Sequence, residues 1–210
     1  MKKPYIFCLV IILFSFALAV FYYPAMPEKM ASHWNANGEV NDYMPKFWGL
    51  FLMPLVSLII FGLLVLIPKI DPLKENFAKF RKYFDWFIVL LEIFLLYIYI
   101  LTLIWNAGIR FDFTPAIIPA IAALFYYVGI LTEKSERNWF VGIRNPWTLS
   151  SEAVWKKTHN LGGKLFRIAG LIAFLGILFP KYSFLIFILL VIFFAIFINF
   201  YSYFEYKKEK

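Results

Sequence analysis

The side chains with a capacity for chemistry are few: His33 and His159, the carboxylates Glu28, Glu39, Asp42 and Glu92, the hydroxyls of Ser150 and Ser151, and the one thiol, Cys8. Glu28, His33, Glu39 and Asp42 carry imidazole and carboxylate, the usual donors to transition metals. One histidine among scattered carboxylates has no recognised ligand spacing. No metal is therefore expected, and His33 is read as hydrogen-bonded within a compact cap. Ser150 and Ser151 lack the GxSxG turn that presents a nucleophile and read as early-helix residues. HExxH, P-loop and glycine-rich dinucleotide patterns do not occur. A single cysteine excludes an internal disulfide and a zinc cluster of cysteines, which leaves Cys8 as packing. The expectation is no catalytic residue, no cofactor and no enzyme.

Glu92 stands apart because of its surroundings. It falls about seven positions into an apolar run, roughly 10 Å deep at about 1.5 Å per residue. Burying an ionisable group at such a depth costs several kcal/mol unless it is paired or protonated. Two readings stay open. Glu92 is a structural glutamate, paired with an interfacial Arg or Lys or bonded as the acid to Asn199 or a tyrosine. Alternatively it is the polar point of a transport path, with a polar-lined cavity reaching it.

The longest interruption between apolar runs, Glu136–Lys164, reads ERNWFVGIRNPWTLSSEAVWKKTHNLGGK. Trp139, Phe140, Trp147, Leu149 and Trp155 are mixed there with Arg137, Arg144, Lys156 and Lys157. Aromatic rings among cations suit the boundary between hydrocarbon and water. Asn145-Pro146 supplies an N-cap and a first helical position, and Gly162-Gly163 an end. Glu152, Trp155 and His159 share a stripe of that helix. The spacing thus predicts an interfacial helix, broken from the next apolar run at Gly162-Gly163.

The elements that must hold these residues are apolar. The chain is 62% hydrophobic, and six runs reach or approach the roughly 20 residues that span a bilayer. They are 5–23, 47–67, 86–105, 115–131, 165–179 and 184–203. Placing the amino terminus inside leaves only Lys29, Lys46, Arg110 and Lys181 of the 21 basic residues outside. By the positive-inside rule both termini are cytoplasmic. The net charge of +8 is then a topology signal with attraction to anionic lipid, not a nucleic-acid footprint, and the block FAKFRKYF at 77–84 reads as lipid-facing. Lys2 and Lys3, an apolar core and Ala17-Leu18-Ala19 imitate a signal peptide. The run continues through Tyr23, past the usual signal core of about 7–15 residues, and is read as a retained helix.

The first outside loop, 24–46, has a turn signal at Asn37-Gly38 and prolines at 24, 27 and 45 that favour an extended chain. Arg110 and Asp112, in the second outside link, read as a solvated pair. Ala169, Ala173 and Gly176 line one stripe and predict a helix–helix contact. The tail after Tyr203 reads as a charged stop. The fold class is all-α: a polytopic protein with six transmembrane helices, a structured external loop and an interfacial cytoplasmic helix. Residues 1–67 form a first unit of two helices with the external loop 24–46. Residues 68–210 form a four-helix unit with the motif loop 132–164.

Arg137-Asn138, Gly142-Ile143-Arg144, Pro146-Trp147-Thr148-Leu149, Glu152, Trp155, Thr158-His159 and Gly162 together resemble the SdpI family of multispanning membrane proteins. Pro27, His33-Trp34, Gly38 and Lys46 are similar to the amino-terminal domain, of unassigned function, often found in those proteins. The resemblance implies a multi-pass cell-membrane immunity and signalling protein. Its partners would be membrane lipids, a secreted antimicrobial peptide toxin outside and a cytosolic transcriptional repressor drawn to the membrane, with no direct contact to nucleic acid. The partner-binding residues would be Arg137, Asn138, Arg144, Trp147, Glu152, Trp155 and His159, and the external loop would offer His33, Trp34, Asn37, Gly38 and Lys46. The alternative is a transporter or handler of small solutes or lipids that uses Glu92.

Overall fold

The structure, a computed structural model, describes residues 3–35 and 38–210, with the side chains of 180–184 excepted. Seven helices and one β-hairpin follow in the order α1 (Lys3–Tyr22), β1 (Lys29–Trp34), β2 (Val40–Pro45), α2 (Lys46–Ile70), α3 (Lys74–Asn106), α4 (Phe113–Lys134), α5 (Pro146–Ser150), α6 (Glu152–Leu175) and α7 (Pro180–Lys208). All but α5 are long and apolar enough to cross a membrane. Each span closes its backbone hydrogen bonds internally, as hydrocarbon requires.

Two groups of helices pack side by side. In the first, α1 joins α2 and α3 through Tyr5, Cys8 and Ile12, which meet Phe61, Phe77, Phe80, Phe84 and Ile88. The block 77–84 departs in part from its lipid-facing expectation: Phe77, Phe80 and Phe84 are each about 1% exposed, whereas Ala78, Lys79 and Lys82 stay at the surface. The reason is that α3 does not begin at Trp86. It starts at Lys74 and runs for 33 residues, about 50 Å at about 1.5 Å per residue. Its first turns therefore extend beyond a hydrocarbon core of roughly 30 Å and use their phenylalanines to pack. On the same stretch Arg81 Nε donates to Asp85 Oδ1 at 2.7 Å, and the Tyr5 hydroxyl donates to that oxygen at 2.8 Å. This buried charge, shared among three groups, pins the start of α1 to α3.

In the second group α4 and α6 lie almost backbone to backbone, with α7 against α6. A Cβ on Gly163 would sit 2.6 Å from the Gly129 carbonyl oxygen, and one on Gly129 would sit 2.5 Å from that of Gly163. Only glycine allows that approach. This overturns the expected break. α6 passes through Gly162-Gly163 without interruption and joins the motif loop directly to the fifth span. The pair serves packing, not termination. The Ala169–Ala173 stripe does meet a partner, clustering with Ala122 of α4 and Phe187 of α7.

The hairpin sits at the end of the bundle opposite both chain termini. β1 and β2 are antiparallel, with irregularities at Ala31/His33 and His33/Trp34. The sequence indicated a turn here but no strands; the ladder forms because Asn35 and Glu39 close the turn through backbone and side-chain bonds. Asn106, at the end of α3, clamps β1. Its Oδ1 accepts from the Ala31 amide at 2.7 Å, and its Nδ2 donates to the Ala31 carbonyl at 3.1 Å. Arg110 and Asp112 do not pair as expected. Arg110 lies 3.5 Å over the Trp105 ring and bonds its carbonyl, whereas Asp112 caps α4 through the Thr114 amide. Both choices satisfy helix ends that would otherwise leave backbone groups open.

Candidate functional site

The motif loop between α4 and α6 is built from the inside out by short polar side chains. Asn138 is wholly buried. Its Oδ1 accepts from the Phe140 and Val141 amides, and its Nδ2 donates to the Glu136 and Val141 carbonyls. All four hydrogen-bonding positions of the carboxamide are thus used. The next turn requires Gly142, at φ +113°, where a Cβ would also strike the His159 ring. The Ile143 amide then donates to His159 Nε2 at 2.9 Å, and His159 Nδ1 lies 2.9 Å from the Trp155 carbonyl. An Nε2 that accepts defines a neutral imidazole protonated on Nδ1. The His159 ring stacks on Trp155, centroids 3.8 Å apart, and Trp155 Nε1 donates to the Ser135 carbonyl at 2.9 Å.

The predicted stripe is therefore divided. Trp155 and His159 face inward, 0% and 1% exposed, whereas Glu152 is at the surface. With Asn138, those two residues form the interior of the loop and offer nothing to a partner as the chain stands. Glu152 pairs with Arg137, Nη2 to Oε1 at 3.7 Å. Arg137 also donates to the Leu149 carbonyl. Arg144 is exposed and donates to the Trp139 carbonyl. The Trp139 ring beside it is 50% exposed, and it was not among the expected contact residues. Trp147 is half-buried, edge-on to Tyr203 of α7 at 5.3 Å.

Every neighbouring element holds this loop. Asn145 caps α5 through the Thr148 amide and donates to Asn199 and Ser202 of α7. Ser151 caps α6 and donates to Glu209. Glu205 accepts from Lys157 and Lys208, so the tail is a buttress for the loop rather than a plain charged stop. From the first helical group, the buried Asp71 accepts from the Trp139 amide at 3.0 Å, and Asn76 donates to the Arg137 carbonyl at 3.0 Å. The sequence reading did not single out Asp71, Asn76 or Asn106. Their one signal was position: short polar residues at the ends of apolar helices, where free backbone groups need partners.

At the opposite end, His33 Nδ1 lies 2.6 Å from Asn41 Oδ1. Trp34 stacks on Phe113 at 4.1 Å and meets Trp105 edge-on. Gly38 donates its amide to the Asn35 carbonyl. Lys46 pairs with Glu28 at 2.7 Å. Asn37 lies outside the described residues. Among the described residues no group of three or more His, Cys, Asp or Glu side chains is placed to hold a metal ion.

Glu92 is 0% exposed. Ser57 Oγ of α2 donates to its Oε2, and among the described residues Oε1 has no hydrogen-bond partner. Neither Arg or Lys nor Asn199 caps it; Asn199 belongs to the loop network through Asn145. Two cavities among the described residues are lined without Glu92. One of about 160 Å³ lies between α6 and α7, and one of about 280 Å³ lies under the motif loop between the two helical groups. No polar path to Glu92 runs through them.

Six spans, an ordered hairpin at one end and a braced aromatic-basic loop at the other define a multi-pass protein of the cell membrane. Residues 134–202 match the SdpI/YfhL protein family, and residues 10–58 match a domain of unknown function, DUF1648. Over residues 134–202 the chain is thus similar to the SdpI family. It is 28% identical to the immunity protein SdpI of Bacillus subtilis (strain 168) over 209 residues, which is 99% of this chain and 98% of that one. No solved structure matches it.

Proposed function

We propose that this protein is an immunity and signalling protein that protects its cell from a secreted antimicrobial peptide, with the hairpin outside and the motif loop in the cytoplasm. The observation that carries the reading is likeness along the whole chain, 99% of it, to a protein named for immunity. Support also comes from the loop, whose core is locked by Asn138, Trp155 and His159 while Arg144 and Trp139 project. Arg and Trp are frequent anchors of protein interfaces, and such a surface suits a cytosolic partner, here a transcriptional repressor. The distribution of basic residues supports the orientation. The sealed pair of Glu92 and Ser57 favours a packed helix contact over transport.

The test is survival. Cells lacking the protein are challenged with membrane-active peptides secreted by related strains, with and without the gene restored. Wild type is expected to restore growth. Arg144→Ala is expected to reach the membrane at normal level and to lose recruitment of the repressor, read as membrane-bound against soluble repressor. Failure of wild type to protect against any such peptide overturns the immunity reading.

A further inference from the structure

The two family matches leave residues 59–133 between them unaccounted for, and that segment holds all of α3 and the end of α2. It contains Asp71, Asn76 and Asn106, which fasten the motif loop and the hairpin to these helices. At the hairpin end, the buried Met30 packs against Gly49 of α2, and the Asn106 carboxamide makes both bonds to Ala31. At the loop end, Asp71, which follows α2, holds the Trp139 amide, and Asn76, in the first turn of α3, holds the Arg137 carbonyl. Between these ends, Ser57 of α2 donates to Glu92 of α3 within the membrane. The same two helices therefore grip an extramembrane element at each end and are tied to each other in the middle.

We propose that α2 and α3, braced by Ser57 and Glu92, form a single strut that couples the hairpin on one side of the membrane to the motif loop on the other. This assigns Glu92 a positioning role. Its cost at membrane depth is offset by keeping two helices in register, since in hydrocarbon a polar contact between helices has few competitors. Asn106 and the pair Asp71 and Asn76 are the joints. Coupling of this kind is reciprocal: the free energy by which the state of one end biases the other is the same in both directions. A merely local clamp has no such property.

The inference extends the signalling reading, but its test uses neither toxin nor repressor, so either can fail alone. Full-length protein in membrane vesicles carries one reporter cysteine, Tyr43→Cys in the hairpin or Arg144→Cys in the loop. Maleimide labelling rates are measured; the native Cys8, wholly buried, stays silent. Asn106→Leu is expected to raise labelling at position 144 about fivefold or more, and Asn76→Ala to raise it at position 43. In Ser57→Ala, each perturbation should affect only its own end, whereas Glu92→Gln, which keeps an acceptor for Ser57, should preserve the coupling. If Asn106→Leu and Asn76→Ala each raise labelling only at their own end, the strut is wrong. Should Asn106→Leu not reach the membrane, Asn76→Ala read at position 43 decides the same question.

Discussion

His159 and Arg144 stand 15 positions apart in one motif and do opposite things. His159 accepts a backbone amide in the loop interior, so removing its ring strands the Ile143 N–H. Leaving a buried donor unpaired costs about 1–3 kcal/mol, to which the lost stacking on Trp155 adds. His159→Ala is therefore expected to lower the unfolding temperature in detergent by several degrees and to reduce the level in the membrane. Asn138→Ala, which strands two amides, should do the same or worse. Arg144 loses one exposed hydrogen bond, and surface substitutions of that kind stay within about 0.5 kcal/mol. Arg144→Ala should unfold with wild type. If thermal unfolding of purified variants places Arg144→Ala beside His159→Ala, the division of the motif into interior and face is wrong.

At the scale of elements, the contact of Gly129 in α4 with Gly163 in α6 carries a prediction, where the Gly162-Gly163 pair reads in sequence as a helix end. Gly163→Val puts a branched side chain where a Cβ alone is 2.6 Å from a carbonyl oxygen. Separating two backbones in a packed interior costs about 1–3 kcal/mol or more. Gly163→Val should then lose folded protein, measured as the monodisperse fraction after extraction, whereas Gly62→Val, which meets nothing within 4 Å, should match wild type. Equal yields would remove the close contact. The six spans were legible because about 20 apolar residues between polar links have few other solutions. The loop was legible as a structured unit because the Asn145 cap on Thr148 is local; Ser151, expected inside one continuous helix, instead caps a second helix through Val154 and divides α5 from α6. The inward turn of Trp155 and His159 and the continuity of α6 were not legible. Aromatic rings at an interface read the same whether they face lipid, a partner or the chain's own core, and a Gly-Gly pair reads the same as a stop or as a contact. The long-range clamps at Asp71, Asn76 and Asn106 were hidden for a simpler reason: their partners are distant in the sequence.

Across the whole molecule, the two helical groups are joined by three kinds of contact. α3 lies along α4, where the Tyr127 hydroxyl donates to the Tyr83 carbonyl at 3.0 Å; the motif loop leans back on Asp71 and Asn76; and the chain crosses once, through the short link 107–112. Gly108, at φ +102° and open on all sides, is the point where that link can be cut with least loss, because exposed loop tips tolerate interruption. Fragments 1–108 and 109–210, expressed together, should therefore assemble in the membrane and copurify. The second fragment alone should leave its motif loop open to protease near Arg144, since neither Asp71 nor Asn76 is then present to hold the Trp139 amide and the Arg137 carbonyl. Asp71→Ala combined with Asn76→Ala in the first fragment should weaken copurification without abolishing it, because the contact of α3 with α4 persists. A second fragment whose loop resists protease by itself would mean that the loop is closed by α6 and α7 alone. The first helical group would then be a passenger and not a brace.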